Sequence, residues 1–338
     1  MKNAACSRAA RRFASAVGAI TISILCSAAL LCCVAPDRAL TGIKTLLLSG
    51  FSSPESVNRV LLYWPLLILT GLSVGVGRKA GFVNTGAPGQ FTIGALLALT
   101  GAMLFSLPWW ACLLISFFGG VLWGAVAGLL KTKLQVNEVL STVMLNLVAL
   151  YLTQWVWTDA LEGREATFSP HAALPMINVG TACFFHIGLL LAVFFCLVFW
   201  IVFRFRVWGY ELRAGGDNPE AAKRAGMPVS KNALLAACLS GGLSGLAGAV
   251  CFLSGMTDMA LSELSTVLGY AGLPVAWLCF SNPLGTMLTS LFAACALAGR
   301  ENLPAEFPGE IAYVLLAVAA LAGAVMQKNR KPESESCL

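Results

Sequence analysis

Charge is what this sequence has least of. Only 11% of its 338 residues are charged, against 58% hydrophobic, whereas a soluble domain carries about a quarter charged residues. A water-soluble globule is thereby excluded. Histidine occurs twice, at His171 and His186, so neither a zinc centre nor a catalytic base is readily assembled. The twelve cysteines include no Cys-x-x-Cys pair, and most sit inside apolar runs, where cysteine behaves as a small hydrophobe. No metal or other cofactor is expected. A Gly-x-x-x-x-Gly-Lys-Ser/Thr loop is also missing, so the chain has no cradle of that type for ATP phosphates. Short alternating strands of the outer-membrane type are absent too, which excludes a membrane β-barrel.

What the sequence has instead is long apolar runs. They occupy residues 14–34, 60–77, 87–106, 109–130, 138–157, 184–203, 232–253, 264–280, 284–298 and 310–326. The expected fold is an all-α, polytopic membrane protein of about ten transmembrane helices, some of them broken. One transmembrane domain spans 14–326, flanked by a short N-terminal segment, 1–13, and a tail, 327–338. The first run follows Lys2, Arg8, Arg11 and Arg12, as a signal peptide would. It is longer than a signal core, however, and residues 32–36 offer no small-x-small cleavage site, so the helix is expected to be retained.

Lys and Arg fix the expected orientation. With the N-terminus inside, seventeen of the twenty-two fall on the cytoplasmic face, and ten of the sixteen acids fall on the other. Both termini are therefore expected in the cytoplasm. The net charge of +6 reflects this asymmetry, and no nucleic-acid partner is needed to explain it.

The stretch "GFVNTGAPGQFTIGALLALTGAM", residues 81–103, interrupts the hydrophobic pattern. Its Gly- and Pro-bearing start leaves backbone groups without helical partners, and such backbone persists in a bilayer only against protein or a wet cavity. Pro88 suits a first helical turn, while Gly86 and Gly89 allow another backbone to approach. A second break is expected at "SNPLG", around Asn282 and Pro283. Paired interruptions point to a transport path. Between them, Glu138, Thr142, Asn146, Ala149 and Thr153 fall within about an 80° sector of one helix. That stripe must avoid lipid, either through interhelical hydrogen bonds or by lining a cavity. Asn84, Gln90, Glu138, Thr142, Asn146 and Asn282 are the candidate path residues.

Residues 204–231 form the one long basic loop. Asp217 or Asn218 can cap a helix, Pro219 fits its first position, Glu220 suits its positive end and Gly226 can close it. A two-turn helix is expected at 218–225, with Ala221, Ala222 and Ala225 forming a smooth face. So short a helix needs tertiary support, from its own membrane domain, from lipid headgroups or from a cytosolic partner. Further on, "SGGLSGLAGAV" spaces Ser240, Ser244 and Gly248, and likewise Gly241 and Gly245, for close helix packing. The same stretch contains the Gly-x-Ser-Gly of rhomboid-type proteases, but a nucleophilic serine needs a base, and both histidines precede Ser244. An ion-driven secondary carrier would place ionisable groups at membrane depth. The acids here lie at helix ends or in loops.

These segments carry a resemblance. "GYELRAGGDNPEAAKRAGMPVSK" resembles the cytoplasmic coupling region of permease subunits of ABC importers in the simple-sugar, nucleoside and branched-chain amino-acid group. "NTGAPGQFTIGA" is similar to that group's Asn-Ile-Gly-Ala-Glu-Gly-Gln segment. "GLLKTKLQVNEVLSTVMLN" is similar to its Asn-Glu-Val-hydrophobic-Ser-Thr-hydrophobic-Met-Leu-Asn helix, and "LSGGLSGLAGAV" and "NPLGTMLTSLF" also fit. The likeness covers roughly residues 60–300 in order, nearest to nucleoside- and riboflavin-type members. It departs at Thr85, where the group has Ile, and at Pro88, where it has Glu, so no role of that Glu carries over. The resemblance implies a non-enzymatic permease subunit in the cytoplasmic (inner) membrane. Its expected partners are separate ATPase subunits, a second permease that is identical or related, and an extracytoplasmic solute-binding protein. It also implies that Glu211, Arg213, Asn218, Pro219, Ala222 and Gly226 belong to the coupling region. Amide and hydroxyl groups without an intramembrane cation favour a neutral solute such as a nucleoside, riboflavin or simple sugar.

The purified chain alone in liposomes is expected neither to hydrolyse ATP nor to accumulate solute on a proton or sodium gradient. Accumulation driven by an ion gradient would replace the importer reading with that of a secondary carrier.

Overall fold

The computed structural model describes residues 2–34, 36–157, 171–179, 183–255, 261–304 and 306–328. The described residues form thirteen α-helices and one two-stranded hairpin. The helices are α1 (Lys2–Val34), α2 (Ala39–Leu48), α3 (Pro54–Lys79), α4 (Ala87–Leu104), α5 (Trp109–Leu134), α6 (Glu138–Val156) and α7 (Ile187–Phe205). Next come α8 (Val207–Asp217), α9 (Pro219–Arg224), α10 (Val229–Leu253), α11 (Leu261–Leu278), α12 (Pro283–Arg300) and α13 (Ile311–Lys328). Strands β1 (Met176–Val179) and β2 (Cys183–His186) pair antiparallel.

Each of the ten apolar runs falls on a helix, although residues 184–186 of one are the β2 strand. Seven helices are long and apolar enough to cross a membrane: α1, α3, α4, α5, α6, α7 and α10. In α11 and α13 the apolar stretches are shorter, Thr266–Leu278 and Ile311–Met326. α1 continues back to Lys2 without a break at residue 13. Tail residues 329–338 and the acids at 159, 162, 165 and 258 lie outside the described residues.

Helix limits follow local chemistry. The Ser53 hydroxyl accepts from the Ser56 amide at 3.2 Å, Pro54 occupies the first turn, and Arg78 and Lys79 close the last turn of α3. Each choice satisfies or complements the free ends of the helix. Asn137 caps α6 in the same way, its side chain accepting from the Val139 amide at 2.9 Å.

The bundle is centred on α3, α4 and α10, in each of which 78% of the apolar stretch is buried; the figure is 22% for α6 and 28% for α7. α10 reaches the centre because its small residues remove the space between backbones. A Cβ on Gly94 of α4 would lie 2.2 Å from the Gly245 carbonyl oxygen, and one on Gly120 of α5 would lie 2.3 Å from that of Gly241. The small-residue repeat is thus a packing surface. Outer faces of α5 and α7 present Phe118, Leu122, Phe194 and Leu197, all exposed, as a lipid-facing surface requires.

α3 is held on two opposite faces. Gly77 lies against residue 82, where a Cβ would come within 2.9 Å of the Phe82 carbonyl oxygen, and Gly75 faces Ser281. The second break is therefore real: Phe280 and Ser281 both adopt left-handed backbone, with φ of 54° and 52°. Arg78 braces that turn, stacked 3.8 Å above the Trp277 ring and donating to the Ser281 hydroxyl at 3.3 Å. At the other end of α3, Arg59 pairs with Glu301 at 2.8 Å.

Gly94→Ala should destabilise the protein by about 3 kcal/mol, the upper range for overpacking against an unyielding backbone. Leu122→Ala on the exposed face should stay within about 0.5 kcal/mol. Thermal unfolding in detergent measures both.

Candidate functional site

The interruption before α4 runs from Gly81 to Gly86 and is extended or turned backbone. Its unpaired groups are met by side chains from three directions. The Asn84 carboxamide is wholly buried. Its Nδ2 donates to Ser240 Oγ at 2.6 Å and to Gln90 Oε1 at 2.8 Å, with Ser73 Oγ at 3.2 Å. Its Oδ1 accepts from the Gly86 amide at 3.1 Å and from Gln90 Nε2 at 3.2 Å. Ser73 and Ser240 complete the set across α3 and α10, each hydroxyl donating to the other's backbone carbonyl at 2.7 Å. Every polar group of this knot has a partner, which is what a low-dielectric interior demands.

Asn146 of α6 does the same from the opposite side. Its Oδ1 accepts from the Gly89 amide at 2.9 Å, and its Nδ2 donates to the Thr85 carbonyl at 3.0 Å and to Tyr270 Oη at 3.3 Å. One carboxamide thus supplies both halves of a backbone hydrogen bond that the broken helix cannot make. Gly89 has to lack a side chain here, because a Cβ would sit 2.7 Å from Asn146 Oδ1. Thr85 reaches Thr142 Oγ1 at 2.6 Å, and Thr142 donates to the Glu138 carbonyl at 2.7 Å. Hence the polar stripe of α6 faces α4: Thr142, Ala149 and Thr153 are buried. The two positions that depart from the resemblance have structural roles, Thr85 in this contact and Pro88 as the surface on which Gly269 of α11 rests, a Cβ there falling 2.4 Å from Pro88 Cα.

The candidate path residues separate accordingly. Asn84, Gln90, Thr142 and Asn146 are brought together, with Asn84, Gln90 and Thr142 enclosed and Asn146 half-buried. The Glu138 carboxylate turns to Lys131, 3.2 Å away, and that ammonium also donates to the Gly81 carbonyl. Asn282 stands apart, exposed at the tip of the second break. Thr85 and Asn146, both half-buried, and the exposed Tyr270 make a partly open polar strip beside the first break. Tyr270 was not foreseen, because a lone tyrosine in an apolar helix gives no signal of what lies opposite. Ser73 was missed for the same reason.

In the basic loop, the expected helix is α9, capped by Asn218, whose Oδ1 accepts from the Ala221 amide at 3.0 Å, with Pro219 next and Gly226 at φ +81°. The smooth alanine face is divided. Ala222 is buried against its own chain, while Ala221, Lys223, Arg224 and Ala225 are exposed. Ala222 therefore anchors α9, and Ala222→Asp would disturb folding before it tested docking. Ahead of α9 lies the unforeseen α8. There Glu211 accepts from Asn232 Nδ2 at 2.9 Å, tying α8 to α10, and Arg213 is exposed, its Nε donating to the Gly209 carbonyl at 3.2 Å. Ser244 is buried and donates to the Ala87 carbonyl at 2.7 Å. That bond occupies the hydroxyl a protease would use as nucleophile.

Broken helices fastened into a polytopic bundle, beside a capped helix on a basic loop, define a membrane permease. Residues 56–326 match the family described as branched-chain amino acid transport system, permease component, and the chain belongs to that family. It is 29% identical to the guanosine ABC transporter permease of Bacillus subtilis, with 79% of each chain covered. It is 26% identical to a nucleoside ABC transporter permease of Lactococcus lactis, covering 82% of this chain and 81% of the relative. Identity to a glucose ABC transporter permease of Haloferax volcanii is 28%, over 80% and 76%. No solved structure matches the chain significantly. The protein is thus an integral cytoplasmic-membrane permease subunit of an ABC importer, a transport component rather than an enzyme. Its ATPase is a separate subunit, and the family works with a solute-binding protein. Riboflavin is not among the solutes these relatives are named for.

Asn146→Leu strands the Thr85 carbonyl and the Gly89 amide and should cost about 2 kcal/mol or more. Asn282→Ala, at an exposed position, should stay within about 0.5 kcal/mol. Unfolding of both variants in detergent would check the assignment of Asn146 to the backbone of the break.

Proposed function

We propose that the chain forms one wall of the solute path of a nucleoside importer, with Thr85, Asn146 and Tyr270 as the surface the solute meets. The observation that carries this is the strip itself: a half-buried hydroxyl and carboxamide beside an exposed aromatic ring, all bordering the first break. The Asn146 amide oxygen and the Thr85 hydroxyl oxygen keep lone pairs that can accept from the donors of a neutral base or ribose, and a phenol ring offers a stacking face. The guanosine and nucleoside relatives support this solute class. Asn84, Gln90 and Thr142 serve the path by fixing the break, and Glu138 serves it by holding Lys131 against Gly81.

Both termini and residues 204–231 face the cytoplasm in this reading, and ten helices cross the membrane, α11, α12 and α13 completing the set. Cytosolic ATPase subunits dock on the exposed face of α9, at Ala221, Lys223 and Arg224, with Asn218, Pro219 and Gly226 setting its ends and Ala222 its seat. Glu211 and Arg213 belong to the α8 support behind it. A second permease, identical or related, completes the path, and a binding protein delivers solute from outside.

The test is uptake by the reconstituted complex with saturating, loaded binding protein. Tyr270→Ala should slow nucleoside uptake about tenfold, the range expected for loss of one base–aromatic stack, and Tyr270→Phe should restore it. Unchanged uptake by Tyr270→Ala would remove the stacking role. Uptake of glucose and not of nucleosides would place the chain with the sugar permeases.

A further inference from the structure

The loop that bears α9 and the first break meet backbone to backbone. Gly216, next to the end of α8, rests on the turn that follows α3. A Cβ on Gly216 would fall 2.3 Å from the Lys79 carbonyl oxygen and 2.8 Å from the Gly81 nitrogen. Gly81 answers with a φ of +70°, and its own Cβ would come within 3.2 Å of Gly216 Cα. Side chains can absorb a small displacement by changing rotamer. Two backbones in contact cannot, so a shift of one has to move the other.

Both sides of this contact are firmly held. α8 leaves α7 through Gly209, where a Cβ would lie 2.1 Å from the Val202 carbonyl oxygen, and it buries Leu212. On the far side, the Gly81 carbonyl accepts from Lys131, which is paired with Glu138 at the start of α6. Three residues after Gly81 comes Asn84, locked to α3 and α10 through Ser73 and Ser240. Residues 81–84 are therefore a short strap fixed at one end to the polar knot and at the other to α8 and, through Lys131, to α5. We infer that Gly216 and Gly81 are the joint through which movement of α8 and α9 reaches the broken segment. They act as positioning residues: neither touches solute nor nucleotide. Stiffness at both ends, with no side chain between, lets a contact at the basic end bias which of two arrangements the break adopts.

This inference rests on the docking of ATPase subunits at α9, and the experiment separates the two. The reconstituted complex, with reactive native cysteines replaced by serine, carries Val83→Cys as a reporter on the strap. Its rate of modification by a small polar thiol reagent is measured without nucleotide and in an ATP-trapped state. The two rates should differ by about tenfold with Gly216 present and by under about twofold in Gly216→Ala, in line with losing an ordinary site-to-site coupling. ATPase co-purification and basal hydrolysis should remain at the parental level while uptake falls.

Lys131→Met removes the clamp on the Gly81 carbonyl without adding bulk, and should shrink the same labelling difference if Gly216→Ala fails to fold and insert. A nucleotide-dependent difference that persists in either assembled variant would overturn the joint. Loss of ATPase co-purification by a Gly216→Ala chain that folds and inserts as the parent does would also overturn it, by making Gly216 part of the docking surface. Failure of the parental chain to bind any ATPase would instead sink the docking reading, and this inference with it.

Discussion

A polypeptide cannot leave helical geometry inside hydrocarbon unless every freed amide and carbonyl finds a partner, and two carboxamides meet that condition here. Asn84 takes the Gly86 amide and Asn146 takes the Gly89 amide and the Thr85 carbonyl. Without them the break between α3 and α4 would revert to helix or draw in water, and the strip beside it would have no fixed shape. The serine pair of α3 and α10 extends the same logic, since it holds Asn84 from behind while closing two helices on each other.

This polar economy depends on tight apolar packing. Gly94, Gly120, Gly241 and Gly245 bring α4, α5 and α10 to backbone contact, and at that distance hydroxyls reach carbonyls directly. Ser116 donates to the Gly94 carbonyl at 2.8 Å, and Ser244 to that of Ala87 at 2.7 Å. The result is a closely packed centre of α3, α4, α5 and α10, an arrangement suited to moving as blocks rather than deforming continuously.

Much of this was legible in the sequence, because its signals are periodic or local. Apolar runs marked the helices, the Gly and Pro pattern marked both breaks, the four-residue repeat marked the α10 packing face, and Asn218 with Pro219 marked the start of α9. What stayed hidden depends on which helix lies opposite. The pattern identified Asn84 and Gln90 as polar groups that must avoid lipid, but it could not say that they satisfy each other. The spacing of Ala221, Ala222 and Ala225 could not show that Ala222 turns inward. A short hairpin, β1 and β2, and the amphipathic α8 were missed because apolar content at 176–186 and 207–217 reads as span or loop. The Gly81 and Gly216 contact joins residues far apart in the chain, and no local pattern encodes it.

The distance along the chain between Asn84 and its partner has a consequence for biogenesis. Ser240 lies 156 residues beyond Asn84 and 167 beyond Ser73, so α3 and α4 enter the membrane long before α10 exists to complete the knot. During that interval the carboxamide of Asn84 has Gln90 and the Ser73 hydroxyl for company, and the first break is only partly satisfied until α6 arrives with Asn146. Assembly of the centre is therefore set by one of the later helices to be synthesised, and the early ones must be kept from lipid or from wrong partners while they wait. A nascent chain of this protein is most exposed to quality control between the emergence of α4 and the insertion of α10.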